Sequence, residues 1–130
     1  MGQYYLIVNL DLREYLDPAK FGDGRKLMEF GVNGCGTMAG LAILLADGNG
    51  RGYGDLKSNN SIIGLWAGNR VVITGDYANE GNFTGDLTVN LYDYTKTFYR
   101  DVSEEVIMAM CEDKELGEEL QNTPYYEESL

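Results

Sequence analysis

The chain has no histidine among its 130 residues. That removes Ser-His and Cys-His nucleophile pairs, every His-ligated metal site, and the commonest general base near neutral pH. The remaining nucleophile candidates are Cys35 and Cys111. Cys35 stands in Gly34-Cys35-Gly36, just before an expected helix start, where a thiolate is stabilised by the helix N-terminus. Without an imidazole to serve as its base, a small buried thiol is the simpler reading. Cys111 falls on an expected apolar helix face and reads as core. Asp55 and Asp76 are the residue types a glycosidase or a metal-dependent hydrolase pairs, but no spacing brings them together. The sequence thus predicts no catalytic residues, no metal site and no cofactor, and leans towards a non-enzymatic protein.

Binding residues are easier to find. Asp47-Gly48-Asn49-Gly50-Arg51-Gly52-Tyr53-Gly54-Asp55 resembles part of a calcium loop, with Asp47, Asn49, Gly52 and Asp55 at EF-hand positions 1, 3, 6 and 9. Arg51 at position 5 opposes a cation, and Ser58 stands where a bidentate Glu is needed, so calcium is not expected. No Gly-Lys-Ser/Thr follows the alternating glycines, so a phosphate-cradling loop is not expected either. What remains is a wide connection or a recognition loop. As a small-ligand site it would present Arg51 for an anion and Tyr53 for stacking, with Asp55 and Asp76 beside them.

Charge supplies the second binding candidate. The formal net charge is −11, and residues 101–130 hold ten acidic residues against Lys114 alone, which puts −9 of it in the last thirty residues. Glu104 and Glu105 open an expected helix, and Glu112, Glu115 and Glu119 share a face if that helix continues past Gly117. Such a face either keeps the domain soluble or docks on a basic partner. Carboxylates in a row imitate a phosphate backbone, so the partner expected is a basic, nucleic-acid-binding protein. The same field opposes direct binding of nucleic acid.

The elements that must position these groups read as α+β, with a mainly antiparallel sheet and two helices packed on one face. Tyr4 to Leu10 is a strand rich in aromatic and β-branched residues, and Arg70 to Tyr77 is the strongest strand in the chain. Leu87 to Tyr92 is expected to pair with the latter across a turn at 78–86. Ile62 to Trp66 is a short strand candidate, with Trp66 a core anchor. Arg25 to Phe30 is a short helix or strand. Thr37 to Asp47 is a helix with Thr37 as N-cap, Gly48 as its stop and Met38, Leu41, Ala42 and Leu45 inside. Ser103 N-caps the last main helix, which buries Val106, Ile107, Met110 and Cys111. Glu115 to Gln121 adds a short helix. Residues 1–121 form one domain and 122–130 a tail, in which Tyr125-Tyr126-Glu127-Glu128 is a docking-peptide candidate.

Two cysteines make no disulfide framework, no basic n-region precedes Tyr4, and no apolar run reaches the ~20 residues of a membrane span. A cytoplasmic protein with no membrane contact is expected. Lys20-Phe21-Gly22-Asp23-Gly24, Leu44 to Gly52, Trp66 to Ile73 and Gly75-Asp76-Tyr77 together resemble small uncharacterised proteins of bacteria and their phages, over roughly residues 4 to 100. The resemblance implies a mobile-element or defence-related setting and brings no catalytic residues. The leading expectation is an acidic interaction protein, an inhibitor of a basic protein; the alternative is a small-ligand module on loop 48–55.

Overall fold

A computed structural model of the protein describes residues 2–48 and 62–113. The chain is α+β. Strands β1 (Tyr5–Asn9), β2 (Glu14–Leu16), β3 (Val71–Gly75) and β4 (Arg100–Asp101) form one sheet in the order β3-β1-β2-β4. β1 pairs antiparallel with β2 and with β3, and β2 pairs parallel with β4, so the sheet is mixed. Ile7 faces Leu16 on one side and Ile73 on the other, and Val8 faces Val72.

Alternation along β1 sends Ile7 to one face and Leu6 and Val8 to the other. On the Ile7 face, Leu16 and Trp66 pack with Phe21 of a 3₁₀ turn (Pro18–Phe21) and with α1 (Leu27–Gly31), α2 (Thr37–Leu45) and α4 (Ser103–Cys111). On the Leu6 face, α3 (Leu91–Phe98) contributes Leu91 and Tyr92. Helices therefore lie on both faces, where the sequence reading expected two on one. Among the described residues no helix is long and apolar enough to cross a membrane.

The strands at 5–9 and 71–75 lie inside the expected segments, and the ambiguous run 25–30 resolves into α1. Four other elements differ, each for a local reason. Leu87 to Tyr92 is no strand: Asn90 accepts the Asp93 N–H at 2.9 Å and caps α3, while Leu87 stays 84% exposed. A good cap outweighed the β-branched alternation. Residues 62–68 are turns and not a strand. Gly64 and Trp66 donate their N–H groups to the carbonyls of Ile43 and Leu44, completing the end of α2. Gly64 sits at φ 80°, and a Cβ there would lie 2.7 Å from the Ala46 carbonyl.

α2 buries Gly40, Leu41, Ile43 and Leu44 and leaves Ala42 and Leu45 exposed. The expected stripe of Met38, Leu41, Ala42 and Leu45 is thus rotated. The pivot is Gly40, where a Cβ would stand 3.0 Å from both Phe21 and Val106 side chains. Helix and core meet at a glycine, which a count of apolar residues does not register. α2 also ends at Leu45, short of the expected stop at Gly48.

Neither expected N-cap caps its own helix. Thr37 is the first residue of α2, and both its N–H (2.8 Å) and its hydroxyl (2.7 Å) donate to the buried Asp23 carboxylate. Ser103 is the first residue of α4, and its hydroxyl accepts the Asp17 N–H at 2.8 Å, while Asp101 accepts the Ser103 N–H at 2.9 Å. In both cases a carboxylate from outside the helix fills the cap position, and the hydroxyl is freed to tie the helix to a distant loop. The apolar face of α4 is Val106, Ile107, Ala109 and Met110, with Cys111 half-buried at its margin.

Trp66 is fully buried, as expected of an anchor. Its indole N–H donates to Glu14 at 2.9 Å, and the other Glu14 oxygen accepts from Arg100 at 2.7 Å. Arg100 also pairs with Glu105. The core tryptophan, the sheet edge and the first turn of α4 are joined by this one chain of polar contacts.

Candidate functional site

The described concavity that gathers groups able to bind a ligand lies beyond one end of the β1–β3 pair. It measures about 220 Å³, and Leu10 is part of its lining. Arg13, Arg70, Phe83, Thr84, Tyr94 and Tyr99 complete its lining. These residues come from the β1–β2 turn, the approach to β3, the 76–90 connection and α3 with its exit. The β1–β2 turn, the approach to β3 and the 83–99 stretch lie far apart in sequence, so the hollow exists only in the folded chain.

Each wall is held by specific bonds. Asn9 is fully buried at the end of β1, and its side-chain Oδ1 accepts the N–H groups of Asp11 and Leu12, both at 2.9 Å. That clamp sets the turn leading to Arg13. The Asp11 carboxylate takes the Arg70 backbone N–H at 2.7 Å through one oxygen and the Arg70 guanidinium at 2.8 and 2.9 Å through the other. These hydrogen bonds hold the Asp11 carboxyl below its usual range. The Thr84 hydroxyl donates to the Asp86 carbonyl at 2.8 Å, which fixes the segment carrying Phe83.

Backbone conformation singles out the same place. Arg13 (φ 57°) and Phe83 (φ 65°) are the two described non-glycine residues with positive φ. Both line the hollow. Each costs about 1–2 kcal/mol relative to a residue free of a Cβ, and such strain persists where the surroundings impose it, most often at binding sites.

The aromatic wall is ordered by ring packing. Tyr94 meets Tyr99 edge-to-face at 6.0 Å and 78°, and Phe98 packs on Tyr94 at 4.8 Å. Phe83 is 62% exposed. Burial pushes the Tyr99 phenol above its ordinary pKa, with Arg13 and Arg70 pulling the other way, so Tyr99 is a neutral hydrogen-bonding group at neutral pH. The site combines cation, aromatic faces and neutral hydroxyls. Among the described residues its lining is suited to binding a planar or anionic group.

The residues singled out by sequence lie elsewhere. Arg51, Tyr53 and Asp55 fall outside the described residues. Asp76 turns its carboxylate to the Tyr4 N–H at 3.0 Å and its carbonyl to the Asn90 side chain at 3.1 Å, which joins β3 to the strand opposite and to the start of α3. Of the acidic set, Glu104, Glu105 and Glu112 are described and exposed; Glu115, Glu119 and the segments 115–121 and 122–130 are not described. Glu105 is paired with Arg100, whereas Glu104 and Glu112 form no ion pair among the described residues. Neither cysteine forms a disulfide. The Cys35 thiol donates to the Asn33 side chain at 3.2 Å, and the α2 N-terminus that would favour a thiolate is already filled by the Asp23 carboxylate. Among the described residues no group of three or more Cys, Asp or Glu is placed to hold a metal ion.

Arg13, Arg70, Phe83, Tyr94 and Tyr99 were all missed by sequence reasoning. One signal was available: Asn9, an amide inside the apolar run Tyr4–Leu10, marks a position where a strand end must organise a turn. Comparison with known proteins adds no assignment, since no family model, no curated protein and no solved structure matches the chain.

Proposed function

We propose that the protein is a non-enzymatic binding module whose hollow takes a small aromatic anion. The observation that carries the reading is the coincidence of three things in one place. Arg13 is a guanidinium with no carboxylate partner among the described residues, the exposed Phe83 and the half-buried Tyr94 and Tyr99 line the same hollow, and both strained non-glycine residues of the described fold lie there. An unpaired Arg favours an anion, and ring faces favour a planar partner. This is the small-ligand class of the sequence reading, built on residues other than loop 48–55. Two unbridged cysteines support a reducing, cytoplasmic setting.

Phenyl phosphate tests the reading against phenol, its neutral counterpart. In NMR titrations of the full chain, phenyl phosphate should shift the backbone signals of Arg13, Phe83, Tyr94 and Tyr99, and phenol should not. Arg13→Ala should abolish those shifts. Shifts that survive in the variant would reject the site.

A second reading stays in view because of one observation: most of the net charge lies in residues 101–130. Glu104 on α4 and Glu112 just past its end are exposed, with the 72% exposed Met108 between them in sequence. In that reading the acidic segment, Glu115 and Glu119 included, docks on a basic nucleic-acid-binding protein and inhibits it. Its signature is an association rate that falls with salt. Charge reversal at Glu104 and Glu112 should lower that rate in a folded variant, and an unchanged rate would set this face aside.

A further inference from the structure

The pairing of the arginines narrows the ligand class. Four arginines are described. Arg25 pairs with Asp17, Arg70 with Asp11, and Arg100 with Glu14 and Glu105. Arg13 pairs with none among the described residues. Because Asp11 cancels Arg70, the hollow presents one uncompensated positive charge. One guanidinium matches one phosphate group through two parallel N–H donors.

The aromatic residues of the lining match a flat heteroaromatic ring. Tyr94 and Tyr99 meet at 78°, so their planes form a corner, and Phe83 stands free beside them. Base-on-aromatic stacking tolerates any base, because every base has a π face. The hydroxyls of Tyr94 and Tyr99 make no hydrogen bond among the described residues, which leaves them for the polar edge of a base or the hydroxyls of a sugar. A phosphate, a sugar and a base therefore each find a group with no internal partner.

A nucleic-acid strand is a poorer fit. It needs a track of unpaired cations, one for each phosphate it lays down. Lys20, Arg25, Arg70 and Arg100 are engaged with carboxylates, Lys26 and Lys96 do not line the hollow, and the whole chain carries −11. The same negative field disfavours a ligand with three phosphates over one with one.

We infer that the hollow binds a nucleoside monophosphate, its phosphate on Arg13 and its base against Tyr94, Tyr99 and Phe83. The inference rests on the reading of the hollow as an aromatic-anion site. Calorimetric titration of the full chain tests it, with the four common nucleoside 5′-monophosphates, adenosine, ATP, phenyl phosphate, a thymidine oligonucleotide and a phosphotyrosine peptide as probes. At least one monophosphate should bind saturably, at least about tenfold tighter than adenosine and no weaker than ATP. Arg13→Ala should weaken it about tenfold or more, and Tyr99→Leu severalfold, with circular dichroism unchanged. Binding of phenyl phosphate but of no monophosphate would overturn the inference and leave the aromatic-anion site standing. Binding of neither would remove both. Tighter binding of ATP, of the oligonucleotide or of the phosphopeptide would overturn the inference in favour of that ligand. Full monophosphate affinity in Arg13→Ala would overturn it as well.

Discussion

The two faces of the sheet use the same strands, β1, β2 and β3, but are covered very differently. On the Ile7 face, three helices, a 3₁₀ turn and the 62–68 turns converge, and the described core there includes Trp66, Phe21, Phe30 and Met110. On the Leu6 face, Leu6, Val8, Leu91 and Tyr92 are the buried set, and Tyr15, Val72 and Tyr99 remain partly open around them. The first face is closed by aliphatic and aromatic packing, and its polar groups are matched internally: Trp66 with Glu14, Thr37 with Asp23, Ser103 with Asp17. The second is margined by the partly buried Tyr15 and Tyr99 and by the strained turn at Arg13. A small domain can afford strain and open rings on one face when the other supplies most of the apolar burial.

Removing the anchor of the closed face should have the largest effect. Trp66→Ala deletes a fully buried indole and strands the Glu14 oxygen that accepts its N–H, and should cost about 3–5 kcal/mol. Chemical denaturation measures it. A loss below about 1 kcal/mol would mean that the closed face is not the main source of stability. Next comes Asp23→Ala, which leaves the Thr37 N–H and hydroxyl without their acceptor at the start of α2. A loss of about 2 kcal/mol is expected, at the upper end of cap substitutions because the site is buried. Asp23→Asn keeps an acceptor and should recover part of it.

How much of this was legible beforehand follows from the same contrast. The strands at 5–9 and 71–75, the α2 and α4 segments and the anchoring role of Trp66 are local properties of composition, and they were readable. The caps were not, because Asp23 and Asp101 serve helices they do not belong to. The buried stripe of α2 was misread because its centre is Gly40, which has no side chain to count. The hollow was invisible for a stronger reason. Arg13, Arg70, Phe83 and Tyr99 are dispersed over most of the sequence, and only the sheet order brings them together. Spacing rules report what one helix or loop can present; they carry no information about four segments meeting.

Strain on the open face gives a smaller effect with the opposite sign. Arg13→Gly places a glycine at φ 57° and should raise stability by about 1 kcal/mol, since the left-handed region costs glycine little. Arg13→Ala keeps the Cβ and should leave stability near that of the parent. Both variants should lose the response to phenyl phosphate. A gain in melting temperature for Gly together with a loss of binding for both would show strain and recognition at one residue. A destabilised Arg13→Gly would mean that the guanidinium supports the fold, and the two faces would no longer divide stability from binding.

The smallest expected effect is the pH dependence, and it again separates the faces. Burial raises the phenol pKa of Tyr15, Tyr92 and Tyr99 above the ordinary 10.0, and all three belong to the Leu6 face. Burial raises the Cys111 thiol above 9.0 on the Ile7 face. For each group the folded value exceeds the unfolded one, so above the unfolded pKa the unfolded chain has released a proton that the folded chain still holds. Stability then falls as pH rises. The Cys111 contribution starts to be lost near pH 9 and the tyrosine contribution near pH 10. Melting temperature measured between about pH 8 and 11 should therefore decline in two stages. Cys111→Ala should remove the earlier stage alone, and Tyr15→Phe should flatten the later one. The tyrosines are partly exposed, so solvent screening keeps each contribution small. The Lys20–Asp101 pair also loses stability as pH rises past 10.5, so the tyrosine variants are compared in a Lys20→Met background. A later stage that persists there undiminished in Tyr15→Phe, Tyr92→Phe and Tyr99→Phe would show that the rings of the open face are solvated enough to ionise as they do in the unfolded chain.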